Sequence, residues 1–99
     1  AGLACGAVGA VGSTYNYAAP LYHRLIESFN RGDHQDVAAC MDKVIAIIRI
    51  LVQYGGVAAG KLAMQLHGIE VGDPRRPLRP MTREQKRVAL DAFRAADFI

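Results

Sequence analysis

The first 22 residues of this 99-residue chain contain no Lys, Arg, Asp or Glu. So little charge raises the question of a membrane span or a secretory leader, and further absences answer it. No positively charged segment precedes the stretch. Ser13, Thr14, Asn16 and Pro20 interrupt it before the roughly 20 apolar residues of a span are complete. Neither a membrane role nor a targeting segment is therefore expected. Cysteine is equally scarce: Cys5 and Cys40 stand 35 positions apart, and His23, His34 and His67 are scattered. No pair has zinc-ligand spacing, so neither a metal site nor a disulfide framework is expected. Both thiols are expected to be buried in a reducing cytoplasm. Internal repeats and low-complexity tails are absent as well.

What is present describes a packed, mostly helical chain. A hydrophobic content of 52% with 21% charged residues suits a core and argues against disorder. Pro20 reads as a helix start, with Asn16 or Thr14 as capping candidates, and this helix runs to about Asn30 before Gly32. Asp33 then caps a longer helix to about Tyr54, where Val37, Met41, Val44, Ile48 and Leu51 recur at steps of four and three. Ile45 and Val52 widen that stripe, so the helix has a broad face to bury. Gly55-Gly56 breaks the pattern, a shorter helix covers Val57 to His67, and Gly68 closes it. Asp73 to Pro80, with prolines at 74, 77 and 80, reads as an extended connector. Thr82 followed by Gln85 is a capping box for a last helix to about Asp97, with Val88, Leu90, Ala92, Phe93 and Ala96 on an imperfect apolar face.

Near the N-terminus, Ala7 to Val11 offers only small and β-branched side chains without charge, which suits a strand covered on both faces. Gly12 then allows close backbone approach to a ligand, and Ser13, Thr14 and Asn16 supply hydroxyl and amide groups where such a strand ends. That is where α/β proteins place their chemistry.

Two other motifs fail on inspection. Gly55-x-x-x-x-Gly60-Lys61 nearly spells a phosphate-binding loop, but Leu62 replaces the magnesium-holding Ser or Thr and a helix, not a strand, precedes it. Gly6, Gly9 and Gly12 do not form the dinucleotide fingerprint and are better explained by close packing. Between Pro74 and Arg94, seven Lys or Arg residues face only Glu84 and Asp91. No aromatic residue is interleaved among them, so a solvated face is expected rather than a nucleic-acid site.

Several runs, taken in order, carry a family resemblance: Gly12-Ser13-Thr14-Tyr15-Asn16; Ala18, Pro20, Leu21 and Tyr22; Gly32-Asp33; Tyr54-Gly55-Gly56-Val57; Lys61 to Ile69; and Arg75 to Pro80. Together they resemble the C-terminal part of the pyruvate-dependent class I aldolases, the superfamily of N-acetylneuraminate lyase and dihydrodipicolinate synthase. The Gly-Ser-Thr-Tyr-Asn run resembles the lyase branch, since the synthase branch usually carries a Ser-Val-x-Ala-Asn type of run there. The resemblance implies an α/β parent with a (β/α)8 TIM barrel. Such a barrel takes roughly 250 residues, so this chain cannot close one by itself. Residues 1–31 would be the last strand and following helix, and residues 32–99 a C-terminal helical extension. The sequence begins without methionine, and Ala1 to Gly6 resembles the end of the helix before that strand.

The same resemblance implies a cytoplasmic enzyme that cleaves sialic acid to pyruvate and N-acetylmannosamine without metal or organic cofactor. In the family, a lysine forms a Schiff base with the keto acid, a tyrosine shuttles protons, and a Gly-Thr-Thr-Gly type of loop holds the carboxylate. All of these are expected upstream, so no catalytic residue is assigned here, and Lys43, Lys61 and Lys86 are not given the Schiff-base role. Ser13 matches the serine that faces the sugar's polyol end, with Gly12 and Thr14 as neighbouring substrate contacts. A plainer alternative has Ser13 and Thr14 only capping the following helix, and Tyr15 and Tyr17 are expected to pack. The implied partners are the rest of the barrel and further copies of the chain, commonly as a tetramer. The alternatives are another aldolase or synthase of the superfamily, such as dihydrodipicolinate synthase, or a non-catalytic helical interaction module.

Overall fold

Asp33 does what its position predicts. In a computed structural model that describes residues 1–98, its carboxylate accepts the Asp36 backbone N–H at 3.0 Å. It thereby satisfies one of the N–H groups that a helix start leaves without a partner. The helix it opens, α2, spans His34–Tyr54 and follows α1, Tyr15–Asn30. Gly55 alone separates α2 from α3, Gly56–Ala63, which tightens into a single 3-10 turn over Met64–His67. Gly68 ends that turn at a φ of 72°, a left-handed conformation that glycine adopts without a Cβ clash. After the proline-punctuated connector comes α4, Arg83–Ala95. Its capping box is complete: Gln85 N–H donates to the Thr82 hydroxyl at 3.2 Å, and Thr82 N–H donates to Gln85 Oε1 at 2.9 Å.

The four helices share one core. Tyr17, Ala18 and Leu21 of α1 meet Cys40, Val44, Ile47 and Leu51 of α2. Ala58, Ala59, Leu62 and Ala63 let α3 approach closely, and α4 contributes Ala89 and Phe93. Met81 and Phe98 seal the ends, the Phe98 ring meeting Phe93 edge-on at 6.0 Å between centroids. One polar side chain is fully buried there: Ser28, whose hydroxyl donates to Asp36 Oδ2 at 2.5 Å and accepts from Arg31 at 3.1 Å. Arg24 completes that cluster, its Nε donating to the same Asp36 oxygen at 3.0 Å and its terminal nitrogen pairing with the other.

Four expectations are corrected. First, the predicted strand over Ala7 to Val11 is not one; no strand is formed among the described residues. A strand is defined by ladder bonds to another strand, and nothing in the described chain offers them. Val8 and Val11 are fully exposed as a result. Second, α1 begins before Pro20, at Tyr15, but it is two helical pieces joined across a break at Ala18, with φ −127° and ψ 22°, so that Pro20 does stand in the first turn of the longer piece. Proline has no N–H to give the Asn16 carbonyl, so the first turn and the rest of the helix follow different courses. Third, the stripe on α2 is rotated: Cys40, Val44, Ile47 and Leu51 are buried, whereas Met41, Ile45, Ile48 and Val52 stay 40–77% exposed. Helices α1, α3 and α4 all pack against the same side of α2, and among the described residues nothing covers the other. On α4, likewise, Ala89 is buried and Val88 is not. Fourth, only Cys40 of the two cysteines is buried, because Cys5 lies in the exposed N-terminal turn.

Candidate functional site

The segment that was expected to end a strand runs directly into the first turn of α1. Backbone N–H groups of Tyr15, Asn16 and Tyr17 donate to the carbonyls of Gly12, Ser13 and Thr14 at 3.2–3.3 Å, a tight i to i+3 pattern. Neither predicted side-chain cap forms. Thr14 has helical backbone angles, which do not aim its hydroxyl at the N–H groups of the first turn as an extended cap residue would. Its hydroxyl instead bonds Tyr22 Oη at 2.8 Å. The Asn16 amide turns back to donate to the Ser13 carbonyl at 3.0 Å. Gly12 lies under the Tyr15 ring, where a Cβ would come within 3.3 Å of the ring carbons. Tyr15 in turn meets Tyr22 edge-on at 4.6 Å. Four of the five residues in the Gly-Ser-Thr-Tyr-Asn run, all but Ser13, thus use their side chains or lack of one to hold the start of α1 in place.

Ser13 is left facing outward into a cavity of about 390 Å³. Ser13, Asn16 and Tyr17 form one wall and Val57, Gly60, Lys61 and Met64 of α3 and its extension the other, with Val71 at the rim. Gly12 and Thr14 are not part of the wall. The break at Ala18 lets Tyr17 lie across this space, and the Tyr17 carbonyl is bonded by His67 Nε2 at 2.8 Å. Gly60 makes the arrangement possible: a Cβ there would stand 3.3 Å from the Tyr17 hydroxyl and 3.5 Å from its ring.

The Tyr17 hydroxyl is buried and has no hydrogen-bond partner, the only such side-chain atom among the described residues. Burial pushes this phenol above its ordinary pKa; the neighbouring Ser13 hydroxyl pulls the other way without reaching acceptable hydrogen-bond geometry, and Tyr22 adds a smaller upward push. It therefore stays protonated at neutral pH and can donate. Sequence reasoning had placed Tyr17 among packing residues. Nothing in its local pattern distinguishes a packing tyrosine from one whose oxygen is left over, because Gly60 lies 43 positions away.

The lysines are all engaged. Lys43 donates to the Asp97 carbonyl and carboxylate at 2.6 and 3.0 Å, Lys86 pairs with Asp73 at 2.6 Å, and Lys61 donates to the Val71 carbonyl at 3.0 Å. Lys61 sits within α3, so the near match to a phosphate-binding loop is a helix and not a loop. Among the described residues no cluster of His, Cys, Asp or Glu could hold a metal ion, and no helix is long and apolar enough to cross a membrane. Two of the basic residues of α4 pair with acids on the same helix: Arg87 with Glu84 and Asp91, and Arg94 with Asp91. The lowered carboxyl of Glu84 reflects first its hydrogen bond from Arg87.

A sequence model of the dihydrodipicolinate synthetase family matches residues 1–96. Among solved structures, the chain is similar to N-acetylneuraminate lyase of Proteus mirabilis, at 78% identity and a TM-score of 0.98, over 99% of this chain and 33% of that one. It is also similar to the N-acetylneuraminate lyase (sialic acid aldolase) of Aliivibrio salmonicida, at 58% identity and a TM-score of 0.96, over 98% of this chain and 32% of that one. Among curated relatives, the Mus musculus N-acetylneuraminate lyase is 34% identical over 99 residues, 98% of this chain and 31% of its own length. The chain thus spans about a third of the length of the relatives it matches.

Proposed function

Because the chain belongs to the dihydrodipicolinate synthetase family, we propose that it is the C-terminal, mostly helical part of an N-acetylneuraminate lyase that cleaves sialic acid to pyruvate and N-acetylmannosamine. The observation that carries this reading is the 78% identity to the Proteus mirabilis lyase at a TM-score of 0.98, over 99% of this chain. A synthase of the same superfamily is the reading it displaces.

In this reading the chain supports chemistry carried out by residues upstream of it. A lysine there attacks the keto carbon of the substrate and loses water to form an imine. The protonated imine then accepts the electron pair of the breaking carbon-carbon bond. That lysine has to be free and desolvated, whereas Lys43, Lys61 and Lys86 are each held by an oxygen. This chain's own part is to present Ser13, whose hydroxyl both donates and accepts and so suits a polyhydroxy ligand. Gly12 and Thr14, which are not on the cavity wall, support that serine through Tyr15 and Tyr22. Val8 and Val11, fully exposed here, find their cover and their ladder partners in the barrel sheet. The exposed stripe of Met41, Ile45, Ile48 and Val52 is the face assigned to a second copy in a cytoplasmic homo-oligomer.

Treating the full-length polypeptide with pyruvate and borohydride, then mapping the reduced adduct by mass, tests this directly. The adduct is expected on a lysine outside these 99 residues, together with pyruvate release from sialic acid. An adduct on Lys43, Lys61 or Lys86, or none anywhere, refutes the assignment. Turnover of aspartate semialdehyde in place of sialic acid would put the synthase reading in its stead.

A further inference from the structure

The break at Ala18 separates the first turn of α1 from the longer piece of the helix, and Pro20 has no N–H for the Asn16 carbonyl. A helical piece of so few residues does not persist unaided. Yet this is the turn that places Ser13 in the cavity wall. The Thr14–Tyr22 bond and the Tyr15–Tyr22 contact tie it to the longer piece, but neither sets its place relative to α3, the other wall. That is done at Tyr17. Its ring packs on Gly60 of α3, and its carbonyl is held at 2.8 Å by His67 Nε2, from the 3-10 turn that extends α3, across 50 positions of sequence. A carbonyl only accepts, so the imidazole carries a proton on Nε2 and donates. From Tyr17 the restraint passes back along short bonds. The Tyr17 N–H donates to the Thr14 carbonyl at 3.3 Å, and Asn16 donates to the Ser13 carbonyl through its backbone N–H at 3.2 Å and its amide at 3.0 Å.

We propose that His67 is a positioning residue: by donating to the Tyr17 carbonyl it fixes the Ser13 turn of α1 against α3, and so sets where the Ser13 hydroxyl meets a polyhydroxy substrate. His67 is not part of the cavity wall, touches no substrate and takes no part in the chemistry. This rests on the lyase reading above and goes further, since it names a residue outside the cavity that governs how well the site is formed. The effect is bounded. Without the bond the turn leaves its place for part of the time, and apparent affinity falls only by that fraction. One hydrogen bond between a neutral donor and a neutral acceptor limits the fall to about tenfold.

The test uses the full-length polypeptide with His67→Leu, which removes the donor, beside His67→Gln, whose amide nitrogen keeps one at similar reach. For His67→Leu the expected result is a KM for sialic acid raised about fivefold with kcat unchanged. The rate at which pyruvate and borohydride form the reduced adduct is expected to stay the same, because the imine forms on a lysine outside these 99 residues. His67→Gln is expected to bring KM back close to that of the parent. A residue that only supports the fold would lower kcat and adduct formation together with affinity. An unchanged KM in His67→Leu, an adduct rate that falls with it, or a Gln variant as impaired as the Leu variant would overturn the positioning role, while cleavage of sialic acid by the unaltered protein still upheld the lyase reading. Failure of the unaltered protein to cleave sialic acid would overturn both.

Discussion

Replacing Phe93 by Ala should be among the most damaging single changes available in this chain, and replacing Val88 on the same helix should be almost silent. Both residues belong to the apolar face expected of α4 from sequence alone. Phe93 is completely buried, pressed edge-on against Phe98 and enclosed where α4 meets α2 and α3. Val88 is 39% exposed. Removing a fully buried phenyl ring forfeits its transfer free energy and leaves a cavity that rigid helices close only in part. Such changes cost about 3–5 kcal/mol. The upper part of that range applies here, because no exposed edge of the ring lets water take its place. Against a total stability of about 5–15 kcal/mol for a chain of this size, the loss removes about a quarter or more. At about 4–8 °C per kcal/mol it moves the midpoint by more than 10 °C. Val88→Ala should stay within about 0.5 kcal/mol. Urea titration followed by far-ultraviolet circular dichroism, with both variants and the parent at one protein concentration, reads the difference. Equal shifts for the two variants would show that α4 does not pack as described.

Thr82→Ala removes the hydroxyl that accepts the Gln85 N–H and should cost about 1 kcal/mol, read as an equal loss in the same urea titration; no loss would mean that the capping box contributes nothing. The Asp36 carboxyl is held at about 2, below its ordinary 3.8, first by the hydrogen bond from Arg24 and then by that from Ser28. A depressed carboxyl stabilises the fold fully above about 3.8 and loses that contribution as pH falls toward about 2, so thermal midpoints of the parent and Asp36→Asn should converge across that window. A constant gap between the two curves would contradict the assignment, as would a carboxyl carbon that titrates at its ordinary value. Paired Ile48→Glu and Val52→Glu substitutions place charge on the exposed side of α2 and should shift sedimentation toward smaller species without changing helix content. An unchanged sedimentation profile would remove that face from the subunit contact.

Much of the helical punctuation was legible because each signal is local. Asp33 caps α2 through a residue three positions on, Thr82 and Gln85 satisfy each other, and Gly68 supplies a left-handed angle. Pro20 was legible for an equally local reason, since it stands in the first turn after the break at Ala18, but the short helical turn from Tyr15 that precedes the break was not. At the candidate site Ser13 stood out from its place in a small polar run. Tyr17 did not, because the property that matters, a phenol oxygen without a partner, depends on Gly60 and the cavity wall of α3.

The sequence by itself determined where α2 and α4 begin, where the third helix stops, the absence of metal-ligand spacing, and the family to which the chain belongs. These rest on bonds between residues three or four apart, or on a linear run of residues. Only the tertiary structure decided which side of α2 is covered, that Ala89 rather than Val88 faces the core, that Ala7 to Val11 lacks a ladder, and that the Tyr17 hydroxyl is buried against Gly60 without a partner. Each of those depends on which surfaces meet across the chain. Periodicity shows that a helix has an apolar face, but burial is settled by whatever packs against that face.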